Sequence, residues 1–273
     1  MRRFGAWPAW IFLALFFLAP LAALIPEAFD RQSSAFGRIF ADAQFWNAVR
    51  NTIVLGLVSG TLSTVVGTLI AVELARQPEH RRQGLMTLLG LPLAFSGLVI
   101  AYGFILAFGR AGFVTQLLAM LGADPAIVGS WIYSVWGLGL AYAYYLIPRV
   151  ALSLYPVFAN FDRRPLLAAR TLGATRGQAF IDIVLPEIAP SVFSCACLIA
   201  ALAMGTYGTA LALAGTQLNI LPLMLLAKIS DGGSDFAGAA AISLVLMVIC
   251  VIVMGTGDVL ASRREKQVGA IDR

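Results

Sequence analysis

Charge is scarce in this chain: only 12% of its 273 residues are Asp, Glu, Lys or Arg, against 60% hydrophobic residues, and the mean hydropathy is +0.86. Soluble domains carry about twice that share of charge, so a water-facing globule is excluded. Histidine is nearly missing, with His80 standing alone, and the three cysteines, Cys195, Cys197 and Cys250, sit inside apolar runs without C-x-x-C spacing. A tetrahedral zinc site needs about four ligands, so no metal centre is expected and the cysteines read as reduced packing residues. The phosphate-cradling pattern G-x-x-x-x-G-K-[ST] does not occur, nor does H-E-x-x-H, a convincing nucleophile elbow or a pair of carboxylates in one loop. The expectation is a chain that is not an enzyme and has no cofactor of its own.

The formal charge of +5 does not point to nucleic acid, because the basic residues fall in short clusters between apolar runs and form no continuous stripe. What the sequence has in abundance is long apolar runs. A hydrocarbon core about 30 Å thick takes roughly 20 helical residues, and six runs have that length: 7–25, 52–74, 85–108, 127–147, 191–214 and 236–259. The first follows Arg2 and Arg3 but has no small-x-small cleavage site before Pro26 and Glu27, so it reads as a span and not as a cleaved signal. Runs 113–121 and 218–229 are too short to cross, and are expected to lie as helices on the outer surface.

Orientation follows from the basic residues. Arg2, Arg3, Arg76, Arg81, Arg82, Arg149, Arg163, Arg164, Arg170, Arg176, Arg263, Arg264, Lys266 and Arg273 fall on one side, and only Arg31, Arg38, Arg50, Arg110 and Lys228 on the other. Positively charged loops stay in the cytoplasm, which puts both termini there. The expected architecture is an all-α membrane protein, a single transmembrane domain over 1–273 with six transmembrane helices. Trp7, Trp10, Trp46, Trp131 and Tyr133 near the proposed boundaries agree with headgroup placement.

The longest cytoplasmic connection, about 149–190, is patterned as two short helices. Asp162 is placed to cap the first, Pro165 falls in its first turn, and Gly173 ends it, since glycine takes a left-handed conformation without steric cost. The second opens with the Thr-x-x-Gln spacing of a capping box, Thr175 to Gln178, and is expected to close before Pro186. Ala179, Phe180, Ile183 and Val184 recur at helical spacing along it. Periodicity alone leaves two readings of that ridge: packing beneath the chain's own spans, or docking a partner.

The residues here resemble a known signature. Ala168-Ala169, then Gly173, then nine residues, then Ile183-x-Leu185-Pro186 is similar to the EAA loop of binding-protein-dependent ABC transporter permeases. One position departs, since Leu167 stands where that family has glutamate, so a charged contact cannot form there. The resemblance implies the type I importer permease fold and a coupling role for Leu167, Ala168, Ala169, Gly173, Phe180, Ile183, Leu185 and Pro186. It also implies a bacterial inner-membrane location, alternating access, a second permease subunit (a similar partner or a copy of itself), an extracytoplasmic binding protein, and two ATPase subunits that hold the ATP and magnesium. The general wording of the chain is similar to permeases for polyamines, phosphonates, ferric iron or thiamine.

Small and polar residues within spans mark the candidate translocation path: Thr206, Tyr207 and Thr209 first, then Ser96 and Tyr102, then Tyr142, Tyr144 and Tyr145. Glycine and threonine also pack helices together, so both readings stand. The alternative class is a secondary transporter or channel that works without an ATPase. Such carriers place an ionisable residue in mid-span, and none is expected here, with Glu73 and Asp258 near the cytoplasmic helix ends.

Overall fold

The computed structural model describes residues 7–29, 35–215, 218–230 and 235–271, and every regular element among them is helical. The principal helices are α1 (Trp10–Ala28), α2 (Ala35–Ala41), α3 (Ala43–Arg76), α4 (Glu79–Gly90), α5 (Gly97–Phe108), α6 (Phe113–Ala119), α7 (Pro125–Ser130), α8 (Val135–Ala159), α9 (Arg164–Thr171), α10 (Arg176–Gly205), α11 (Gly208–Ala214), α12 (Leu221–Ser230) and α13 (Phe236–Ile271). Five segments are long and apolar enough to cross a membrane: α1, α3, α5 with α6, α10, and Phe236–Ser262 of α13. A sixth is α8 together with the Pro125–Tyr133 segment before it, bent by 58°.

Three apolar runs break differently from the expectation. The 85–108 run divides, because α4 ends at Gly90 and a 3-10 turn through Pro92 leads to extended backbone at Phe95 and Ser96 before α5 starts. The 127–147 run divides at Ser134, whose hydroxyl accepts the Gly137 N–H, and α8 then continues through Pro148 and Pro156 to Ala159. Arg149, counted above in a cytoplasmic loop, therefore lies inside a helix. The 191–214 run begins much earlier, at Arg176, and breaks at Thr206. The second loop helix does not close before Pro186, and Pro190 is also internal. A proline ring clashes with the carbonyl four residues before it. A π turn over Phe180–Val184, in which the Leu185 N–H reaches Phe180 O, inserts the extra residue that relieves the crowding.

Contacts resolve the chain into two compact units, Met1–Thr52 with Asn219–Ile249, and Ile53–Leu218 with Cys250–Arg273. The first has an apolar core of Ala28, Ile39, Phe45, Ala48, Leu221 and Ile242. Helix α12, expected to lie on the outer side, buries Leu221, Pro222 and Leu223 at its start. The chain enters it tethered: Asn51 Nδ2 donates to Asn219 O, Asn219 Nδ2 to Gln44 O, and the Leu221 N–H to the buried Thr52 hydroxyl at 2.9 Å. Before α13, Asp235 accepts the Gly238 N–H and pairs with Arg38 at 3.2 Å and Lys228 at 3.3 Å.

In the second unit α3 packs through small residues. A Cβ on Gly60 would meet Ala200 Cα at 2.9 Å, one on Gly56 would meet the Met204 side chain, and one on Gly67 would meet Val150. Lipid supplies no hydrophobic drive between helices, so close backbone approach at such glycines is what holds spans together.

Candidate functional site

Two places carry functional geometry, and the first is the 160–186 connection. Asp162 Oδ1 accepts the Arg164 N–H at 2.9 Å, and Pro165 occupies the first turn of α9, where a missing N–H is harmless. Gly173 has φ +93°, the Gly173 N–H reaches Arg170 O and the Ala174 N–H reaches Ala169 O. This pair of bonds closes a helix on a left-handed residue. Thr175 then starts α10 with a reciprocal cap: its hydroxyl accepts the Gln178 N–H, and the Gln178 amide oxygen accepts the Thr175 N–H at 3.0 Å. The corner between α9 and α10 is set by backbone hydrogen bonds on one side and by side-chain-to-backbone caps on the other.

The ridge on α10 divides. Ala179 is buried and Ile183 half-buried, whereas Phe180, Ile181 and Leu185 are exposed. Across the corner Leu167 is exposed and Leu172 is 88% exposed, with Ala168 also open and Ala169 half-buried. Pro186 is exposed at the foot of the π turn. The corner thus turns bulky apolar side chains outward on a backbone fixed by caps at both helix ends.

The second place is the break after Gly205. Backbone that leaves a helix at membrane depth must be satisfied inside the protein, and it is: Tyr142 Oη donates to Thr206 O at 2.9 Å, while Thr206 Oγ1 donates to Leu202 O at 2.8 Å. Tyr142 and Thr209 are fully buried. Thr209 Oγ1 lies against Gly97, where a Cβ would stand only 2.5 Å from it, next to Ser96, whose hydroxyl caps α5 by accepting the Val99 N–H. The structure thus brings together Ser96, Tyr142, Thr206 and Thr209 of the sequence candidates. It does not bring Tyr102 or Tyr207 among them, and both are more than half exposed. Tyr145 belongs to the cluster, since its hydroxyl faces Thr206 and Thr209 without a hydrogen bond that satisfies it. Gly97 escaped the sequence reading, and the signal was its place directly after a capping serine.

Beside the break, Phe95, Val99, Gly103, Phe104, Phe108 and Tyr144 line an open groove of about 330 Å³, in which Tyr144 meets Phe104 edge-on with ring centroids 5.6 Å apart.

Apolar helices long enough to cross a bilayer define an integral membrane protein, and the comparisons give its family. Residues 53–266 match the family described as binding-protein-dependent transport system inner membrane component, and the chain belongs to it. The sulfate transport system permease protein CysW of Synechocystis sp. is 30% identical over 253 residues, covering 90% of this chain and 88% of that protein. The thiamine transport system permease protein ThiP of Salmonella typhimurium is 27% identical over 258 residues, which is 91% of this chain but only 47% of the longer relative. Among solved structures, a bacterial ABC transporter involved in import of the acidic polysaccharide alginate matches with TM-score 0.72 at 17% identity, covering 94% of this chain and 93% of that one. The alginate transporter in complex with an alginate pentasaccharide-bound periplasmic protein matches at TM-score 0.68, 18% identity and coverages of 94% and 92%. The chain is therefore a multi-pass permease subunit of the inner membrane with the ABC importer permease fold.

Proposed function

We propose that this chain forms one half of the membrane path of an ATP-driven importer, with an extracytoplasmic binding protein delivering solute to the outer face. A second permease, similar or identical, completes the path, and two ATPase subunits carrying ATP and magnesium dock at the cytoplasmic corner. The observation that carries this reading is that corner: Gly173 and the Thr175–Gln178 cap fix two helices that turn Leu167, Leu172, Phe180 and Leu185 outward. The ATPase is taken to seat on these side chains, with Ala168, Ala169, Ile183 and Pro186 shaping the surface and no charged contact at Leu167. Ser96, Tyr142, Thr206 and Thr209 are proposed to line the path at the break, with Tyr102 and Tyr207 near it.

The solute is proposed to be small. The sequence points to polyamine, phosphonate, ferric iron or thiamine; the relatives named above add sulfate and support thiamine. Two measurements test the reading. The chain is coexpressed with candidate ATPase and binding-protein partners from the same genome, and copurification and solute-stimulated ATP turnover are measured in proteoliposomes. Labelled sulfate and thiamine are then offered to the binding protein. Uptake that proceeds without any ATPase would replace the importer by the secondary-transporter alternative.

A further inference from the structure

Tyr142, Tyr145 and Arg149 stand at i, i+3 and i+7 of α8, a spacing that keeps them on one face of a helix. Tyr142 reaches Thr206 O, and Tyr145 faces the Thr206 and Thr209 hydroxyls. Arg149 continues the stripe about 6 Å farther along the axis towards the cytoplasm. It is half-buried within the helix, and among the described residues no carboxylate lies within ion-pair distance of it and its guanidinium donates no hydrogen bond. An unneutralised cation inside a span is costly and is kept where it meets water or a ligand.

The groups at the other end of the stripe have the same preference. The Thr209 and Tyr145 hydroxyls are buried without a partner, a cost of about 1–3 kcal/mol each unless something accepts from them. Thr209 Oγ1 is aimed at Gly97, the first residue of the twelve-residue helix α5. Ser96 caps the Val99 N–H there, and the positive end of the helix dipole lies at this same terminus. Each unsatisfied group along this line can donate a hydrogen bond, and Arg149 adds a positive charge.

Resting on the pathway reading above, we propose that this line is an anion passage: a small tetrahedral oxyanion leaves the α5 N-terminus, takes hydrogen bonds from Thr209 and Tyr145, and is received by Arg149. A guanidinium suits this role because its planar fork bonds two oxygens at once. Hydroxyls can serve a solute of either sign, so the preference for an anion comes from Arg149, which repels a cationic solute. The phosphate of a lipid headgroup has the same chemistry, and the experiment separates it from a solute in the aqueous path.

The assembled transporter, with Cys195, Cys197 and Cys250 replaced by alanine and Thr206→Cys as the reporter, is reconstituted in vesicles. The thiol is labelled with a sulfonate-bearing and with a trimethylammonium-bearing methanethiosulfonate. The anionic reagent is expected to react faster, millimolar sulfate to slow it, and Arg149→Gln to lower the anionic-to-cationic rate ratio about five-fold, the effect of one charge nearby at moderate screening. Arg149→Lys should keep most of the ratio, which separates lost charge from lost structure. An unchanged ratio in Arg149→Gln overturns the passage. So does a ratio that depends on Arg149 only in vesicles containing anionic phospholipid and is insensitive to sulfate, since Arg149 then holds a headgroup. If neither reagent labels Thr206→Cys in any nucleotide state, the pathway reading itself fails and the inference falls with it. Labelling by both reagents without dependence on Arg149 leaves the pathway standing and removes only the anion assignment.

Discussion

Thr209 is a side chain whose stability effect and proposed function point in opposite directions. Its hydroxyl is buried and unpartnered, so Thr209→Val removes a desolvated polar group at nearly constant volume. The expected result is an unfolding midpoint unchanged or raised, corresponding to a gain of up to about 1–3 kcal/mol, together with reduced solute uptake. Detergent thermal melts and transport on the same preparation decide it; a lowered midpoint would mean that the hydroxyl has a structural partner. Asp235 makes the contrasting case. Partial burial pushes its carboxyl up, but the Gly238 N–H, Lys228 and Arg38 outweigh that and hold it below the usual carboxylate range. A carboxyl depressed in the folded state stabilises above its unfolded value near 3.9 and loses that contribution as pH falls through the folded value. Asp235→Asn keeps a capping oxygen for the Gly238 N–H but loses two partly exposed ion pairs, and is expected to cost about 0.5–1 kcal/mol at pH 7, with parent and variant converging once the pH falls below the folded carboxyl's depressed value.

At the scale of the element, the cytoplasmic corner depends on conformation more than on contacts. Nothing lies within 4 Å of a Cβ built on Gly173, so a side chain there has space and only the φ of +93° opposes it. Gly173→Val is expected to destabilise the corner by about 1–2 kcal/mol, redirecting α10 and abolishing ATPase copurification at normal membrane expression. Leu167→Glu, at an exposed site, should be tolerated or improve docking. Coupled ATP turnover intact in Gly173→Val would remove the loop as the transmission element. This corner was legible in the sequence because its signals are local: a proline in the first turn, a glycine at the helix end and a Thr-x-x-Gln cap each act within four residues. The helix breaks were less legible. Pro148 and Pro186 resemble stops, yet the helices run through both, because neighbouring turns and packing absorb the lost bonds in ways no local pattern records. Tyr142 was readable as a span tyrosine, but its bond to Thr206 O joins residues 64 apart. The glycines Gly56 and Gly60 form a G-x-x-x-G pair that the sequence does display, and the sequence reading passed over it.

At the scale of the whole molecule the question is parity. Five segments cross by length and composition alone, and an odd number would put the termini on opposite sides; the bent segment ending in α8 makes the sixth. Its first part, Pro125–Tyr133, is too short to cross, and Ser134 turns the chain into α8, which has 25 residues and a rise of about 37 Å. Helix α8 is therefore long enough to cross by itself, and the preceding turn is expected on the outer side. The basic residues agree, since Arg163, Arg164, Arg170 and Arg176 all follow α8 and no basic residue lies between α6 and α8. Reporter fusions after Arg81, Arg176 and Arg264 are expected to read cytoplasmic, and those after Arg38 and Ala123 external. The informative pair is Ala123 and Arg176, because α8 and its bend are the only crossing between them. Opposite readings fix six spans and put the corner of α9 and α10 where an ATPase can reach it. Identical readings would leave α8 on one side of the bilayer, give five spans, and remove Arg149 from the membrane together with the passage that depends on it.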